Sequence, residues 1–313
     1  MKLFIIGPLP PPFGGISNHI ERIQPYLLKN NIDYSIVNQY SFNKLNLIFK
    51  IRYVLIFKKY AHIHLFSKYL LIPIFLITNL LPYKKFILTI HNDRLIGNRF
   101  YHFLVSKSRF LKILVVSRRS VKYWSVSSRS DVIYLPAFIP CNKNLSKHSK
   151  YTRIIANVWS YYDGVEKDYG LDILYGFIEA LPNVQFVLYI GDNNSMKHFD
   201  MILPKASNFE VIYGANLAEE FTASDIFLRL NRVDAYGVSI VEAMCNAVPA
   251  LVTNVCARPQ GSLTFKNYEA LFIKLQEVVA CKPSLRLRYL ENFIKPDFHE
   301  KLINIYKTQL SIL

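Results

Sequence analysis

The sequence predicts an α/β protein with two doubly wound parallel-sheet domains. The chain has 313 residues and is 51% hydrophobic, which is enough for two cores because one domain usually takes roughly 100 to 200 residues. Short apolar runs alternate with longer amphipathic segments, as in repeated βαβ units. The stretch 135–150 is rich in proline and polar residues, which is typical of a domain linker.

Each half of the chain contains a series of apolar segments with the length of buried strands. The first half predicts six strands, at Lys2–Ile6, Tyr34–Asn38, His62–Phe66, Phe86–Ile90, Ile113–Val116 and Val132–Leu135. The second half predicts five, at Arg153–Val158, Gln185–Ile190, Glu210–Tyr213, Ile226–Leu230 and Ala250–Thr253. We therefore expect one domain at residues 1–145, a second at 146–295, and a helix at 296–313 that crosses back to the first.

The positive charge of the chain is concentrated in its first half. The formal net charge is +16. Residues 1–150 hold 23 lysines and arginines against four acids, a balance of +19, whereas the remainder has 15 basic and 18 acidic residues. Such asymmetry indicates an anionic partner for the first half: a nucleic acid, a phosphate-bearing substrate or an anionic lipid surface.

The most apolar run, Tyr69–Leu81, spans about 13 residues, and a bilayer crossing needs about 20. Two interpretations remain: a buried crossover helix, or a helix whose apolar face enters the membrane interface while flanking lysines meet lipid phosphates. The first residues of the sequence have too little apolar length for a signal peptide. We expect a cytoplasmic protein, peripherally associated with the inner face of the membrane.

The segment from Arg229 to Met244 has the features of an anion site. An apolar strand leads through a turn containing Tyr236 and Gly237 into a short helix. Ser239 and Glu242 match a capping box, and a helix start offers backbone N–H groups that suit a diphosphate. Carboxylates before and after the turn, Asp234 and Glu242, are able to accept hydrogen bonds from hydroxyls on either side.

The same segment, D-A-Y-G-V-S-I-V-E-A-M, resembles the motif of an acid, seven residues and Glu-Ala in glycosyltransferase family four. The resemblance implies a GT-B fold, in which two Rossmann-like doubly wound parallel-sheet domains face a cleft. It also implies retaining sugar transfer, with the catalytic residues Asp234, His91 and Glu242. This chain has aspartate where the family usually has glutamate.

The phosphate-binding residues follow less directly from the resemblance. Arg229, and Arg258 in the continuation N-V-C-A-R-P-Q-G, are similar to arginines of a bacterial surface-polysaccharide branch, of lipopolysaccharide or O-antigen type. Both are therefore candidates for binding the diphosphate. The family's usual Gly-Arg and Lys-Gly pairs are missing, so Lys167 is a further candidate. The remaining donor-binding candidates in the segment are Tyr236, Gly237, Val238, Ser239 and Glu242.

Two more sites lie in the first half of the chain. Gly14 and Gly15 occupy a predicted turn between a strand and a helix, where backbone N–H groups are able to approach a phosphate. The resemblance implies that this glycine loop meets the donor phosphate or the acceptor. His91 follows a predicted strand at its carboxyl end, where open α/β sheets bind ligands, and it matches the family's histidine that touches the donor sugar. We expect structural or acceptor-side roles for His62 and His64.

The function expected from these patterns is transfer of a sugar from a nucleoside diphosphate sugar to a lipid-linked or lipopolysaccharide glycan. No metal-ligand spacing is visible, so we expect neither a metal nor another cofactor. Two alternatives remain: an epimerase-like or catalytically inactive relative of the same fold, and a basic nucleic-acid-binding protein. The sequence contains no recognisable nucleic-acid-binding module, and we expect no nucleic-acid partner.

Overall fold

The structure is a computed structural model of the chain. It describes residues 2–10, 14–41, 43–65, 70–81, 85–91, 96–110, 112–116, 118–125, 131–135, 152–214, 216–221, 224–234, 237–256, 258–292 and 298–309. The chain divides into two compact units. Unit 1 comprises Met1–Pro10, Gly15–Phe138 and Asp297–Leu313, and unit 2 comprises Pro11–Gly14 and Ile139–Pro296.

Unit 1 contains a six-stranded parallel sheet with the strand order β2-β1-β3-β4-β5-β6. The strands are β1 (Lys2–Gly7), β2 (Asp33–Asn38), β3 (Tyr60–Leu65), β4 (Lys85–Ile90), β5 (Lys112–Val115) and β6 (Asp131–Tyr134). All six residues of the central strand β3 are buried. Continuous burial is expected where helices cover both faces of a parallel sheet.

Helices cover both faces of this sheet. They are α1 (Gly15–Lys29), α2 (Lys44–Phe57), α3 (Leu71–Leu80), α4 (Arg99–Lys107), α5 (Arg118–Ser125) and α12 (Phe298–Gln309). Apolar residues of α2, α3, α4 and α5 share one core cluster, and those of α1 and α12 share another. The C-terminal helix α12 thus belongs to the core of unit 1, on the α1 side.

Unit 2 contains a second six-stranded parallel sheet, ordered β12-β11-β10-β7-β8-β9. Its strands are β7 (Arg153–Val158), β8 (Gln185–Ile190), β9 (Phe209–Tyr213), β10 (Ile226–Arg229), β11 (Ala250–Thr253) and β12 (Leu263–Phe265). The two sheets confirm the predicted fold class. The edge strand β12 was not predicted, because three residues are too few to show a periodicity.

The helices of unit 2 also lie on both faces of their sheet. They are α6 (Val165–Tyr169), α7 (Leu171–Ala180), α8 (Met196–Ile202), α9 (Leu217–Glu220), α10 (Val238–Cys245) and α11 (Tyr268–Asn292). Residues of α7 and α11 pack in one cluster, and residues of α9 and α10 pack in the other. Helix α3 lies within the apolar run predicted at Tyr69–Leu81. Among the described helices none has the length and apolar character for a bilayer crossing.

Candidate functional site

Arg229 and Ser239, two of the predicted donor residues, lie at the topological switch point of the unit 2 sheet. From β7 the chain builds outward through β8 and β9, then returns to the other side of β7 to form β10. The register pairs Leu228 with Ala156, so Arg229 and Asn157, one residue further along, lie side by side. Open α/β sheets bind ligands at such a point, outside the carboxyl ends of the strands.

Two arginines share the carboxylate of Asp234. Arg229 donates from Nε to Oδ2 at 2.7 Å and from Nη2 to Oδ1 at 2.8 Å, which is a bidentate contact. Arg258 donates from Nη1 to Oδ2 at 2.6 Å. The Asp234 and Arg258 side chains are only 7% and 3% exposed. We call these three residues the Arg-Asp-Arg triad; they join two positive charges to one negative charge in a largely dry setting.

Further hydrogen bonds fix both guanidinium groups of the triad. Arg229 donates from Nη1 to Asn157 Oδ1 at 2.9 Å and to Ser239 Oγ at 3.0 Å. Arg258 donates to the Thr253 carbonyl from Nε at 2.7 Å and to Thr253 Oγ1 from Nη2 at 2.8 Å. The two cations are therefore held by β7, β11 and α10 in addition to Asp234.

The triad keeps its charges over the whole ordinary pH range. Burial acts to raise the pKa of Asp234, but Arg229, and then Arg258, outweigh it and hold that pKa at about 2. Burial acts to lower the pKa of Arg229, but the charge and hydrogen bonds of Asp234 raise it above its ordinary value. Since guanidinium groups stay protonated in proteins, the triad joins two positive charges to one negative charge and carries a net positive charge.

Helix α10 begins directly beside the triad. Its N-cap is Gly237, with φ 79° and ψ 70°, and no side chain caps it. The predicted capping box is wrong: Ser239 lies inside the first turn, where its hydroxyl accepts from Arg229. A Cβ at Gly237 would lie 2.5 Å from Ile240 Cδ1 and 3.4 Å from Arg258 Nη1. Glycine is required by the left-handed φ and by this close approach.

Glu242 lies in the second turn of α10, on the same side as Ser239, since residues three apart share a helix face. The residue is 5% exposed. The pKa of Tyr189 on β8 is raised to about 12, mainly by burial and next by the negative charge of Glu242. The charge of Glu242 is therefore felt at Tyr189 of β8, and the role of Glu242 as a hydroxyl acceptor stays a prediction.

The other predicted donor residues have the following positions. Lys167 is exposed in α6, and its carbonyl accepts from Arg232 at 2.8 Å, which ties α6 to the loop after β10. Gly15 is the first residue of α1 and Gly14 precedes it. Val238 is half-buried at the start of α10. Tyr236 lies outside the described residues.

His91 belongs to unit 1, where four imidazoles lie together. His91 Nε2 and His64 Nδ1 are 2.8 Å apart, so one nitrogen donates and the other accepts. His62 hydrogen-bonds to Tyr306 Oη at 2.5 Å and to Thr89 Oγ1 at 2.7 Å. The ring of His19 lies 5.3 Å from that of His64 and 6.0 Å from that of His91. We call His19, His62, His64 and His91 the histidine cluster.

The histidine cluster is neutral at ordinary pH. Burial, followed by the charge of neighbouring residues, lowers the pKa of His19 to about 4 and that of His62 to about 3. The same causes hold the pKa values of His64 and His91 well below 6.5. The neutral imidazole of His91, at the carboxyl end of β4, uses Nε2 in its hydrogen bond with His64, so Nδ1 is the nitrogen that would contact a sugar hydroxyl.

Sequence reasoning missed three residues that support these sites. Asn157 lies inside a predicted strand, and its alignment with Arg229 became visible only from the strand register. Thr253 was predicted as part of a strand, and nothing in the sequence indicates that it accepts hydrogen bonds from Arg258. His19 lies in an ordinary amphipathic helix. Only the fold brings it to the other histidines.

Metal ligation is not indicated by these clusters. Within the described ranges, no group of three or more histidine, cysteine, aspartate or glutamate side chains has an arrangement that could hold a metal ion. The four imidazoles instead make hydrogen bonds and ring contacts to one another and to Tyr306 and Thr89.

Comparison with known proteins gives matches at the level of structure. No protein-family model matches the sequence, and no curated protein sequence matches it. A glycosyltransferase from Rickettsia africae superposes with a TM-score of 0.67 at 17% identity, covering 100% of this chain and 99% of its own. WaaG, a glycosyltransferase involved in lipopolysaccharide biosynthesis, has a TM-score of 0.66 at 13% identity, covering 98% of this chain and 100% of its own.

A third match is an α-glucosyltransferase in complex with UDP and a 13-mer DNA containing a central A:G mismatch. Its TM-score is 0.66 at 10% identity, with 98% of this chain and 100% of that chain covered. These identities are low, and the likeness establishes the fold. The chain therefore has the two-domain Rossmann-like GT-B fold of these glycosyltransferases along its whole length.

Proposed function

We propose that the chain is a glycosyltransferase that takes a sugar from a nucleoside diphosphate sugar. The observation that carries this proposal is the Arg-Asp-Arg triad beside the start of α10, at the switch point of the unit 2 sheet. Two fixed guanidinium groups and a helix N-terminus give a preorganised positive field. A diphosphate that gains negative charge as it leaves is stabilised by such a field without any reorganisation of the protein.

In this proposal the triad and the start of α10 bind different parts of the donor. The backbone of Val238 and Ser239 meets the diphosphate at the start of α10. Arg229 and Arg258 act as fixed charges, and Asp234 positions them while keeping its sequence-based role toward a sugar hydroxyl. Glu242 accepts from a hydroxyl of the ribose or the sugar.

The remaining donor residues come from the sequence resemblance. His91 meets the donor sugar, and Gly14, Gly15, Lys167 and Tyr236 complete the donor site. The bond from the anomeric carbon to the diphosphate breaks, and one to an acceptor hydroxyl forms with loss of its proton. Retention of configuration follows the resemblance. The reaction needs neither a metal nor a further cofactor in this scheme.

The acceptor proposed is a lipid-linked or lipopolysaccharide glycan at the inner face of the cytoplasmic membrane. The balance of +19 in residues 1–150 supports an anionic partner, and WaaG, with the same fold, is involved in lipopolysaccharide biosynthesis. A second candidate acceptor is DNA. It is favoured by the same charge and by the DNA bound to the α-glucosyltransferase of this fold.

A transfer assay distinguishes these possibilities. The protein is incubated with UDP, GDP or ADP sugars and with a bacterial lipid extract, a DNA duplex, or buffer alone. We expect one donor to label the lipid fraction, and Glu242→Gln to abolish the labelling. A labelled duplex would favour the DNA acceptor. Donor binding without transfer would indicate an inactive relative, and an altered sugar without transfer would indicate an epimerase.

A further inference from the structure

Three neighbouring helices on one side of the unit 1 sheet have large apolar side chains on their outer surfaces. Helix α3 contacts both α2 and α4, and the rings of Phe75 and Phe103 lie 5.8 Å apart across α3 and α4. The outward side chains of this layer include Phe49, Phe57, Ile72, Leu76, Leu80 and Phe103. We call the outer surface of α2, α3 and α4 the apolar helix face.

These helices are apolar on both sides, unlike ordinary surface helices. In α2, Val54 and Leu55 are fully buried in the core, whereas Phe49 is 59% and Phe57 67% exposed. In α3, Leu71 and Ile74 are buried, while Leu80 is 75% exposed. A helix that is apolar all round is normally covered on all sides. Clustered exposed apolar side chains on neighbouring helices are typical of a surface that contacts another phase or molecule.

Helix α12, on the opposite side of the same sheet, shows the ordinary pattern. It buries Leu302 and Tyr306 and exposes Glu300, Lys301 and Asn304. Helix α1 on that side exposes a single large aliphatic residue, Leu28. Among the described residues of unit 1, the clustering of exposed apolar side chains on neighbouring helices is therefore a feature of α2, α3 and α4.

The apolar helix face is also cationic. Lys50 and Arg52 are exposed in α2, and Arg99 and Lys107 are exposed in α4. Residues 34–130, which include all three helices, contain 17 lysines and arginines and a single acid, Asp93. Apolar side chains that enter the acyl boundary and cations that meet lipid headgroups are the two components of interfacial binding to an anionic bilayer.

Charge complementarity decides which partner fits this face. A second copy of the chain would bring two cationic surfaces together, which repel. A DNA duplex would pair with the lysines and arginines through its phosphates but would leave the phenylalanines and leucines in water. A bilayer containing acidic lipids satisfies both the apolar and the charged residues. We propose that the protein lies on an anionic membrane through the apolar helix face.

This inference deepens the membrane association in the proposed function by assigning it to one surface. It orients unit 1 with α2, α3 and α4 toward the lipid and α1 and α12 away from it. None of the residues that it uses belongs to the donor site, so lipid binding and donor binding are measurable separately.

Vesicle flotation tests the proposal directly. Neutral phosphatidylcholine vesicles are compared with vesicles containing about a third phosphatidylglycerol. We expect the wild-type protein to float with the anionic vesicles only, and we expect 0.5 M NaCl to weaken binding, because salt screens the charged contacts. The triple variant Phe49→Ser, Phe57→Ser, Leu80→Ser should lose about tenfold or more in partitioning, because it removes three apolar insertions.

A matched triple variant controls for the loss of exposed apolar residues in general. Leu28, Met201 and Ile273 are 65%, 75% and 57% exposed and lie outside α2, α3 and α4. Their replacement by serine should leave flotation unchanged. Lys50→Gln with Arg52→Gln and Lys107→Gln should weaken binding to anionic vesicles severalfold, because these changes remove charged contacts with the lipid.

Three results would overturn the proposal. The proposal is wrong if the wild-type protein does not float with anionic vesicles. It is also wrong if the Phe49/Phe57/Leu80 variant floats as well as wild type. A wild-type dimer in light scattering that this variant converts to a monomer, without flotation, would assign the face to a second copy. Nucleotide-sugar binding measured on the same variants shows whether the donor site is intact, so failure here is distinct from failure of the proposed function.

Discussion

Arg258 donates from Nη1 to Oδ2 of Asp234 at 2.6 Å, and both side chains are almost completely buried in unit 2. Arg229 binds the same carboxylate from the other side. The sequence predicts for Asp234 the role of accepting from a sugar hydroxyl, from its place before the turn and from the family resemblance. Its position between two arginines adds a second role, which is to hold the cations where a diphosphate would bind.

Asp234→Asn should destabilise the fold by about 3 kcal/mol or more, because it leaves two buried guanidinium groups without their shared anion. Chemical denaturation measures the loss. The matched variant is Asp172→Asn: Asp172 pairs with Arg232 at 2.7 Å, but both side chains are about half exposed. That variant should cost less than about 1 kcal/mol. Equal losses in the two variants would contradict a structural role for the triad.

Gly237→Ala should be costly on two grounds. The φ of 79° is unfavourable for a residue with a Cβ, and the new atom would lie 2.5 Å from Ile240 Cδ1. We expect destabilisation of more than about 1 kcal/mol and weaker nucleotide binding. Gly164 has φ 92° and no atom within 4 Å of an added Cβ, so Gly164→Ala isolates the backbone cost. If the two variants lose equal stability, the close packing at α10 contributes nothing.

Acid should destabilise the protein before its carboxylates titrate. Cluster histidines have folded pKa values far below 6.5, so between pH 6.5 and about 4 the unfolded chain binds more protons than the folded one. The free energy of unfolding then falls with falling pH, by about 1.4 kcal/mol per pH unit for each histidine kept neutral. Protonation of Asp234 lowers the free energy of unfolding further only below about pH 3.8, its pKa in the unfolded chain, because its pKa in the folded protein is about 2.

Denaturation curves at several pH values test the histidine cluster. His62→Gln should reduce the slope of stability against pH, because one fewer imidazole takes up a proton on unfolding. His198→Gln is the comparison, since His198 is exposed in α8 outside the cluster, and it should keep the wild-type slope. Constant stability between pH 7 and 4.5 in the wild-type protein would rule out buried neutral histidines.

Much of the fold was predictable because its signals are local. Eleven of the twelve strands were predicted within a few residues, as apolar runs bounded by polar ones. Strand β12 was missed because Leu263–Phe265 is too short for such a pattern. The position at which α10 begins was predicted to within two residues, but its N-cap was not: the N-cap is Gly237 rather than Ser239.

The site was predictable only in part, because its contacts join distant segments. Arg229 and Asp234 are five residues apart, and the resemblance made both candidates. Their partners Asn157 and Thr253 come from β7 and β11, and only the strand order brings them to the same edge. The histidine cluster was likewise not predictable from the sequence. Its members come from α1, from β3 and from the end of β4, and no spacing in the sequence relates them.

The central claim is that unit 2 binds a nucleoside diphosphate sugar beside the triad, and calorimetric titration tests it most directly. UDP, GDP and ADP sugars are titrated into the wild-type protein, Arg258→Gln and Arg232→Gln. We predict that one nucleotide binds and that Arg258→Gln weakens it by about tenfold or more, which is about 1.4 kcal/mol. Arg232→Gln, at an exposed ion pair, should bind as wild type does. No binding of any nucleotide sugar, or equal affinity in Arg258→Gln and wild type, would contradict the claim.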